Sequence, residues 1–430
     1  MAAPVFTPAA LASPGPADTA TPRYTSALSS LTVLFFMMGF ITCLNDILIP
    51  YLKGLFTLSY AKVNLVNFCF FGAYLVMGVP AGRVVKRFGY KRGMLLGFLI
   101  AAVGCFLFFP AAESRTFGLF LGALFVLATG IVTLQVAGNP YVSVLGPPET
   151  ASSRLTLTQA FNSLATTIAP FLGSWLILSH LPDLKKLSAA QAASLDIMAV
   201  QYLYLGIGAV LVLISLLLSF LKLPHIAHAE APAGDTSRAW SYRHLLFGLV
   251  GIFTYVGAEV AIGSHIVSYL GQPEVMNMPA ARAGYMVMFY WGGAMVGRFL
   301  GIGVLRKFRP GRVLAVNAVL AMALVLLSVN TSGYVAMGSL LAVGLMNSIM
   351  FPVIFTLAVA GLGRHTEDAS GLLSAAIVGG AVIPPLFGLI ADSHSGGGGV
   401  HALRLAFALP VLCYAYIVWY GLRGHVRQAK

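Results

Sequence analysis

From about residue 28 onward, apolar runs of about 18 or more residues alternate with short polar breaks. The pattern predicts twelve spans, beginning near residues 28, 62, 93, 116, 153, 199, 243, 279, 311, 333, 368 and 400. Two neighbouring runs carry an ordered set of amides, in TLQVAGNPYVSVLG (Thr133 to Gly146) and SRLTLTQAFNSLATTIAP (Ser153 to Pro170). Gln135 and Asn139 are four apart, and Gln159, Asn162 and Thr166 follow at three and four, so each set lines one helix face. An unpaired amide in hydrocarbon is costly, which directs such stripes toward a partner helix or a water-filled cavity. The runs are far longer than the alternating ten-residue segments of an outer-membrane barrel, so the spans are expected to be helices.

Composition agrees. Of 430 residues, 58% are hydrophobic and 9% charged, and the mean hydropathy is +0.87, values foreign to a soluble domain of this length. The four cysteines, Cys43, Cys69, Cys105 and Cys413, sit inside apolar runs without paired spacing, which suits packing better than a disulfide or metal framework. A net charge of +13 does not imply nucleic acid, because the basic residues collect in short loops between spans. That bias orients a membrane protein, and it predicts cytoplasmic termini on both sides of an even number of spans.

Residues 1–25, rich in Ala, Pro and Thr and uncharged near their start, read as a disordered cytoplasmic tail rather than a signal peptide. The one long polar break, 224–242, contains HIAHAEAPAGDTSRAW and divides the chain into bundles at 26–223 and 243–424, with a short tail at 425–430. The halves resemble each other in register. MGFITCLNDILIPYL from Met38 overlays VGAEVAIGSHIVSYL from Val256, GRVVKRFGYKR from Gly82 resembles GIGVLRKFRPGR from Gly301, and APFLG from Ala169 resembles PPLFG from Pro384. Such a parallel repeat predicts an all-α membrane protein, with twelve transmembrane helices in two pseudo-symmetric six-helix bundles around a cavity.

The loop residues Gly82, Arg87, Gly89 and Arg92, with Gly301, Arg306 and Arg312 opposite, resemble the cytoplasmic loop motif of the major facilitator superfamily, although Lys86 replaces its usual acid. Together CLNDILIPYLKGLFTLS, QVAGNPYVSVLGPPETASSRLTLTQAFNSLATTIAP and YVGAEVAIGSHIVSYL resemble the fucose:proton symporter family of that superfamily, most of all its glucose/galactose transporter branch. The resemblance implies the major facilitator fold and cation-coupled symport of a neutral monosaccharide by alternating access. It matches Asp46 to a coupling carboxylate, and Gln159 and Asn162 to amides lining the sugar cavity. At Gln135 fucose transporters have a second acid, and Glu259 stands where the fucose branch has Gln, so the acid has moved to the other half.

The residues have physical readings of their own. An ionised Asp at a helix centre costs about 3 kcal/mol on insertion scales, which a protonated Asp46 largely avoids; the alternative is a structural acid bonded to Asn45 or a loop. Glu259 has no charge within one turn, so it is protonated, binds a cation, accepts sugar hydroxyls, or pairs with His265 or an Arg from another helix. Gln135, Gln159 and Asn162 both donate and accept, as hydroxyls do. Asn347 is a further candidate ligand, Asn139 is expected to satisfy carbonyls freed by Pro140, and Tyr255, Tyr290 and Trp291 are candidate aromatic platforms. Arg298 is expected to meet a carbonyl or carboxylate, and His265 to be a hydrogen-bonded wall residue.

Substrate binding is thus assigned to Gln135, Gln159, Asn162, Glu259 and Asn347, and cation coupling to Asp46 and Glu259. No phosphate loop, metal cluster or activated nucleophile is present in the sequence, so an enzyme is not expected. No cofactor is expected beyond a proton or sodium ion, and no partner beyond a monosaccharide and the lipid bilayer. The expected setting is a plasma membrane, the bacterial inner membrane in particular. Glucose or galactose is the expected cargo; fucose, mannose, an amino sugar, or a sensor that does not transport are the alternatives.

Overall fold

The computed structural model describes residues 24–56, 60–114, 116–176, 198–224, 238–392 and 400–426. Residues 1–23 of the expected N-terminal tail, most of the central linker and the last four residues lie outside them, while Tyr24 and Thr25, expected in the tail, begin the first helix. The first six long helices are α1 (Tyr24–Phe56), α2 (Tyr60–Phe88), α3 (Tyr90–Glu113), α4 (Phe117–Val144), α5 (Ala151–Leu176) and α6 (Met198–Phe220). The second six are α7 (Arg243–Leu270), α8 (Ala280–Lys307) and α9 (Pro310–Val329), then α10 (Gly333–Val359), α11 (Gly363–Asp392) and α12 (Val400–Gly424). Among the described residues, ten of these are long and apolar enough to cross a membrane, and α1 adds an apolar stretch at Ala27–Thr42. Apolar side chains such as Leu213, Leu217, Phe289 and Leu389 lie exposed around the outside, as a lipid-facing surface requires.

Packing repeats the sequence symmetry. In the first bundle α1 packs on α5, α2 and α3 on α4, and α3 on α6; in the second, α7 packs on α11, α8 and α9 on α10, and α9 on α12. Adding six to each number converts one set into the other. The bundles meet through α2 against α11 and α5 against α8, pairs that the same exchange interconverts. Small residues permit the first contact: a Cβ on Gly78 would stand 2.6 Å from the Gly371 carbonyl oxygen, and one on Gly371 the same distance from that of Gly78.

The last three helices are interrupted, which periodicity did not predict. Asn347 ends the first part of α10 and Met350 starts the second, a short 3-10 turn at Ala376–Val378 splits α11, and Phe407 separates the two parts of α12. A break exposes carbonyls to an apolar medium, where each needs a donor. At α10 those donors are side chains: Asn317 Nδ2 bonds the Met346 carbonyl at 3.1 Å and Arg298 Nε bonds that of Ser348 at 3.1 Å.

Basic loop residues do more than bias orientation. Lys91 donates to the carbonyls of Ser219 (2.7 Å) and Leu221 (2.8 Å) at the end of α6, and Arg154 to those of Ser143 and Pro147 after α4. Both cations sit at the negative ends of helix dipoles.

Candidate functional site

In the first bundle the polar stripes join four helices. Gln159 Nε2 on α5 donates to Asn139 Oδ1 on α4 at 3.3 Å, Gln135 Nε2 on α4 to the Tyr74 hydroxyl on α2 at 2.9 Å, and Asn162 Nδ2 on α5 to the Phe35 carbonyl on α1 at 2.9 Å. Gln135 and Asn162 remain only partly buried. Asn139 is fully buried, with no partner for its Nδ2. Its expected task falls to another residue: Pro140 has no N–H for the carbonyl four residues back, and that carbonyl, of Val136, accepts from Ser370 Oγ on α11 at 3.0 Å. A helix defect in one bundle is therefore satisfied by the other bundle.

The second bundle centres on Glu259. This residue is buried, with its Oε1 unpartnered. Tyr255, one turn earlier, brings its hydroxyl beside the carboxylate, in a placement that falls short of hydrogen-bond geometry. The backbone carbonyl of Glu259 accepts from the Tyr290 hydroxyl at 3.0 Å. Tyr290 in turn accepts from Asn347 Nδ2 at 2.8 Å, and the Tyr414 hydroxyl donates to Asn347 Oδ1 at 2.8 Å. Gly344 allows this chain to form, because a Cβ there would stand 2.0 Å from the Tyr290 carbonyl oxygen. Asn347 is wholly enclosed and braced by tyrosines on both sides, so in this conformation it offers no group to a cavity. Tyr255 and Tyr290 are likewise enclosed, leaving Trp291 as the exposed aromatic of the three proposed as platforms.

Arg298 joins the two clusters. Its guanidinium acts electrostatically on Glu259, takes the Ser348 carbonyl exposed by the break in α10, and hydrogen-bonds the Ser163 hydroxyl on α5, next in sequence to Asn162. His265 is a wall residue: its Nδ1 lies 2.8 Å from the Ala261 carbonyl and its ring lies against Phe387, centroids 4.2 Å apart. Asp46 lies within α1, but its side chain is outside the described residues.

Bonds between the bundles begin at the end that carries the linker. Lys86 pairs with Asp368 at 2.5 Å in a salt bridge that crosses from one bundle to the other. The acid missing from the loop motif is supplied by the opposite bundle. Ser152 and Thr356 share a hydrogen bond of 2.6 Å, Ser153 Oγ donates to the Ile302 carbonyl at 3.0 Å, and further along come Ser163 with Arg298 and Thr167 Oγ1 with Met295 Sδ at 3.5 Å. From Ser152 to Thr167 the series extends about 22 Å at 1.5 Å per residue.

Sequence reasoning overlooked Ser163, Tyr74 and Tyr414. Ser163 follows the amide stripe directly and was within reach of a helix-face argument, whereas Tyr74 and Tyr414 carry no spacing signal.

Residues 30–385 match the Major Facilitator Superfamily. Over 404 residues the chain is 52% identical to a Brucella abortus protein named glucose/galactose transporter, covering 94% of this chain and 95% of that one. Over 412 residues it is 34% identical to the L-fucose-proton symporter of Escherichia coli, covering 92% of each. The crystal structure of the transporter FucP in the outward conformation superposes with a TM-score of 0.85 at 34% identity, covering 94% of this chain and 100% of that one.

Proposed function

The chain belongs to the fucose:proton symporter family of the major facilitator superfamily, and on that premise we propose that this sugar transporter carries glucose or galactose together with a cation. Favouring those hexoses is the relative named for them at 52% identity. Gln135 and Glu259 also distribute their acid and amide differently from the fucose branch.

One observation carries the coupling proposal: the buried Glu259 carboxylate has an oxygen without a partner. A carboxylate that is buried without full pairing is stable only if it is neutralised. Arg298 supplies part of that compensation, and a bound proton or sodium ion supplies the rest. Arg298 also bonds Ser163 across the bundle interface, so separating the bundles there alters the electrostatic surroundings of Glu259. Cation occupancy and bundle position are thereby linked.

Gln135, Gln159 and Asn162 receive the sugar hydroxyls from the first bundle, and Glu259 from the second, while Asn347 positions Glu259 through Tyr290. Asp46 is the second coupling carboxylate. Binding takes place with the linker end closed and cytoplasmic. Release requires the series from Lys86–Asp368 to Ser163–Arg298 to open.

Labelled-glucose uptake into proteoliposomes, first under an imposed proton gradient and then under a sodium gradient, tests the proposal. Concentrative uptake under one of them is expected, with unlabelled galactose competing better than fucose or mannose. If neither gradient drives accumulation, the coupling proposal fails; if fucose competes best, the substrate assignment fails.

A further inference from the structure

A cavity of about 330 Å³ opens at the linker end, remote from Glu259, and draws its walls from both bundles. Arg83 and Lys86 of α2 face Arg238 and Trp240, which precede α7, and His365 and Asp368 at the start of α11. The single acid among them is already paired with Lys86, and His365 Nε2 accepts from Arg364 Nε at 3.2 Å. Arg83 and Arg238 are exposed, and neither guanidinium forms a hydrogen bond or ion pair with another described residue.

A positive-inside bias accounts for basic residues at this end of the molecule. It does not account for two guanidiniums, one on α2 and one in the linker segment before α7, lining one concavity, where an anion between them relieves their mutual repulsion. Guanidiniums match phosphate oxygens in a two-pronged geometry. Val79 and Leu372 add apolar wall, and the Trp240 ring is 56% exposed, so an uncharged portion of the ligand has a surface to rest on. The volume lies at the small end of the range for small-molecule sites.

We infer that this cavity binds a phosphomonoester group between Arg83 and Arg238 and that its occupancy keeps the linker end closed. Because the walls belong to both bundles, a ligand bridging them favours the conformation in which they meet, and transport slows as that conformation accumulates. The same chemistry is available from a soluble sugar phosphate or from a phospholipid headgroup in the adjoining leaflet. Only the kinetic consequence rests on the transporter reading.

The test uses the full-length protein in uncharged detergent, with inorganic phosphate and glucose 6-phosphate as soluble probes and sodium chloride at matched ionic strength as control. A parallel arm uses uncharged-lipid vesicles with and without phosphatidic acid. The thermal midpoint is measured in both arms, and the rate of glucose exchange in sealed uncharged-lipid vesicles, with the soluble probes present on both sides or with phosphatidic acid in the bilayer. A saturable rise in midpoint with the soluble probes supports a soluble ligand; a rise with phosphatidic acid alone supports the lipid source. Arg83→Gln and Arg238→Gln, taken singly, are each expected to raise the half-saturating probe concentration about tenfold, the scale of a lost hydrogen bond to a charged group. Arg83→Lys and Arg238→Lys are expected to fall between the glutamine variants and wild type, and they serve if a glutamine variant does not fold.

The inference is overturned if no probe exceeds chloride in wild type, or if the effect survives in the double glutamine variant. Midpoint shifts in a protein that exchanges no glucose would sink the transport reading and leave the anion site standing.

Discussion

Replacing Asn347 by Leu distinguishes a brace from a sugar ligand. The side chains share the same heavy-atom count and branching, and the site is wholly enclosed, so the change removes polar function while the cost of the bulkier methyls is common to both arms of a cycle with Tyr414 and cancels there. Two contacts disappear, from Asn347 Nδ2 to the Tyr290 hydroxyl and from the Tyr414 hydroxyl to Asn347 Oδ1, each 2.8 Å long. Tyr290 keeps its bond to the Glu259 carbonyl, but Tyr414 is left with a buried hydroxyl lacking its acceptor. An orphaned buried group costs about 1 to 3 kcal/mol, whereas removing both partners of a bond is close to neutral. Asn347→Leu is therefore expected to lose about 1 to 3 kcal/mol, and adding Tyr414→Phe to recover much of it. The assay is reversible denaturation of the four proteins of the cycle in one detergent, alongside the KM for glucose exchange. Additive losses with no recovery would refute the bracing role. A large rise in KM with stability unchanged would instead make Asn347 a direct ligand.

Other perturbations address the interface between the bundles. The Lys86–Asp368 pair is 44% and 29% exposed, so Lys86→Asp should weaken closure by no more than about 1 kcal/mol, roughly fivefold in population; Asp368→Lys on top of it should restore cross-linking of cysteines placed across the linker end. Ser370→Ala deprives the Val136 carbonyl of its donor and is expected to shift the same cross-linking toward the separated state by about 1 kcal/mol, with proton-independent exchange still present. Gly78→Val places side-chain atoms where only 2.6 Å separates a Cβ from the Gly371 carbonyl oxygen. That variant should resist closure at the linker end, and unchanged cross-linking would mean that α2 and α11 do not close there.

Much of the fold was legible because apolar run length and repeat register depend on the solvent and on chain geometry alone. The expected start near residue 243 coincides with Arg243 of α7, and the expected starts near 279 and 311 fall one residue from Ala280 and Pro310. The breaks in α10, α11 and α12 were not legible. Their freed carbonyls are satisfied by residues distant in sequence, as with Arg298 at Ser348, and a local window contains no such information. Asn139 makes the same point: an amide beside Pro140 is a natural donor, yet Ser370 of the other bundle holds the Val136 carbonyl. Helix-face periodicity put Asn139 and Gln159 each on a polar stripe, and the structure joins the two stripes across α4 and α5. It could not rank Asn347 between ligand and brace, because that depends on Tyr290 and Tyr414 arriving from α8 and α12. The missing loop acid likewise had a compensating partner, but Asp368 stands in the opposite half.

Coupling through the buried, incompletely paired carboxylate of Glu259 is tested most directly by Glu259→Gln in proteoliposomes, with glucose counterflow and gradient-driven accumulation measured on the same preparation. The amide keeps the shape and hydrogen-bonding reach of the acid but holds no exchangeable charge. Counterflow is expected to persist while accumulation under the driving gradient is lost. Accumulation at the wild-type level would show that Glu259 does not carry the coupling cation.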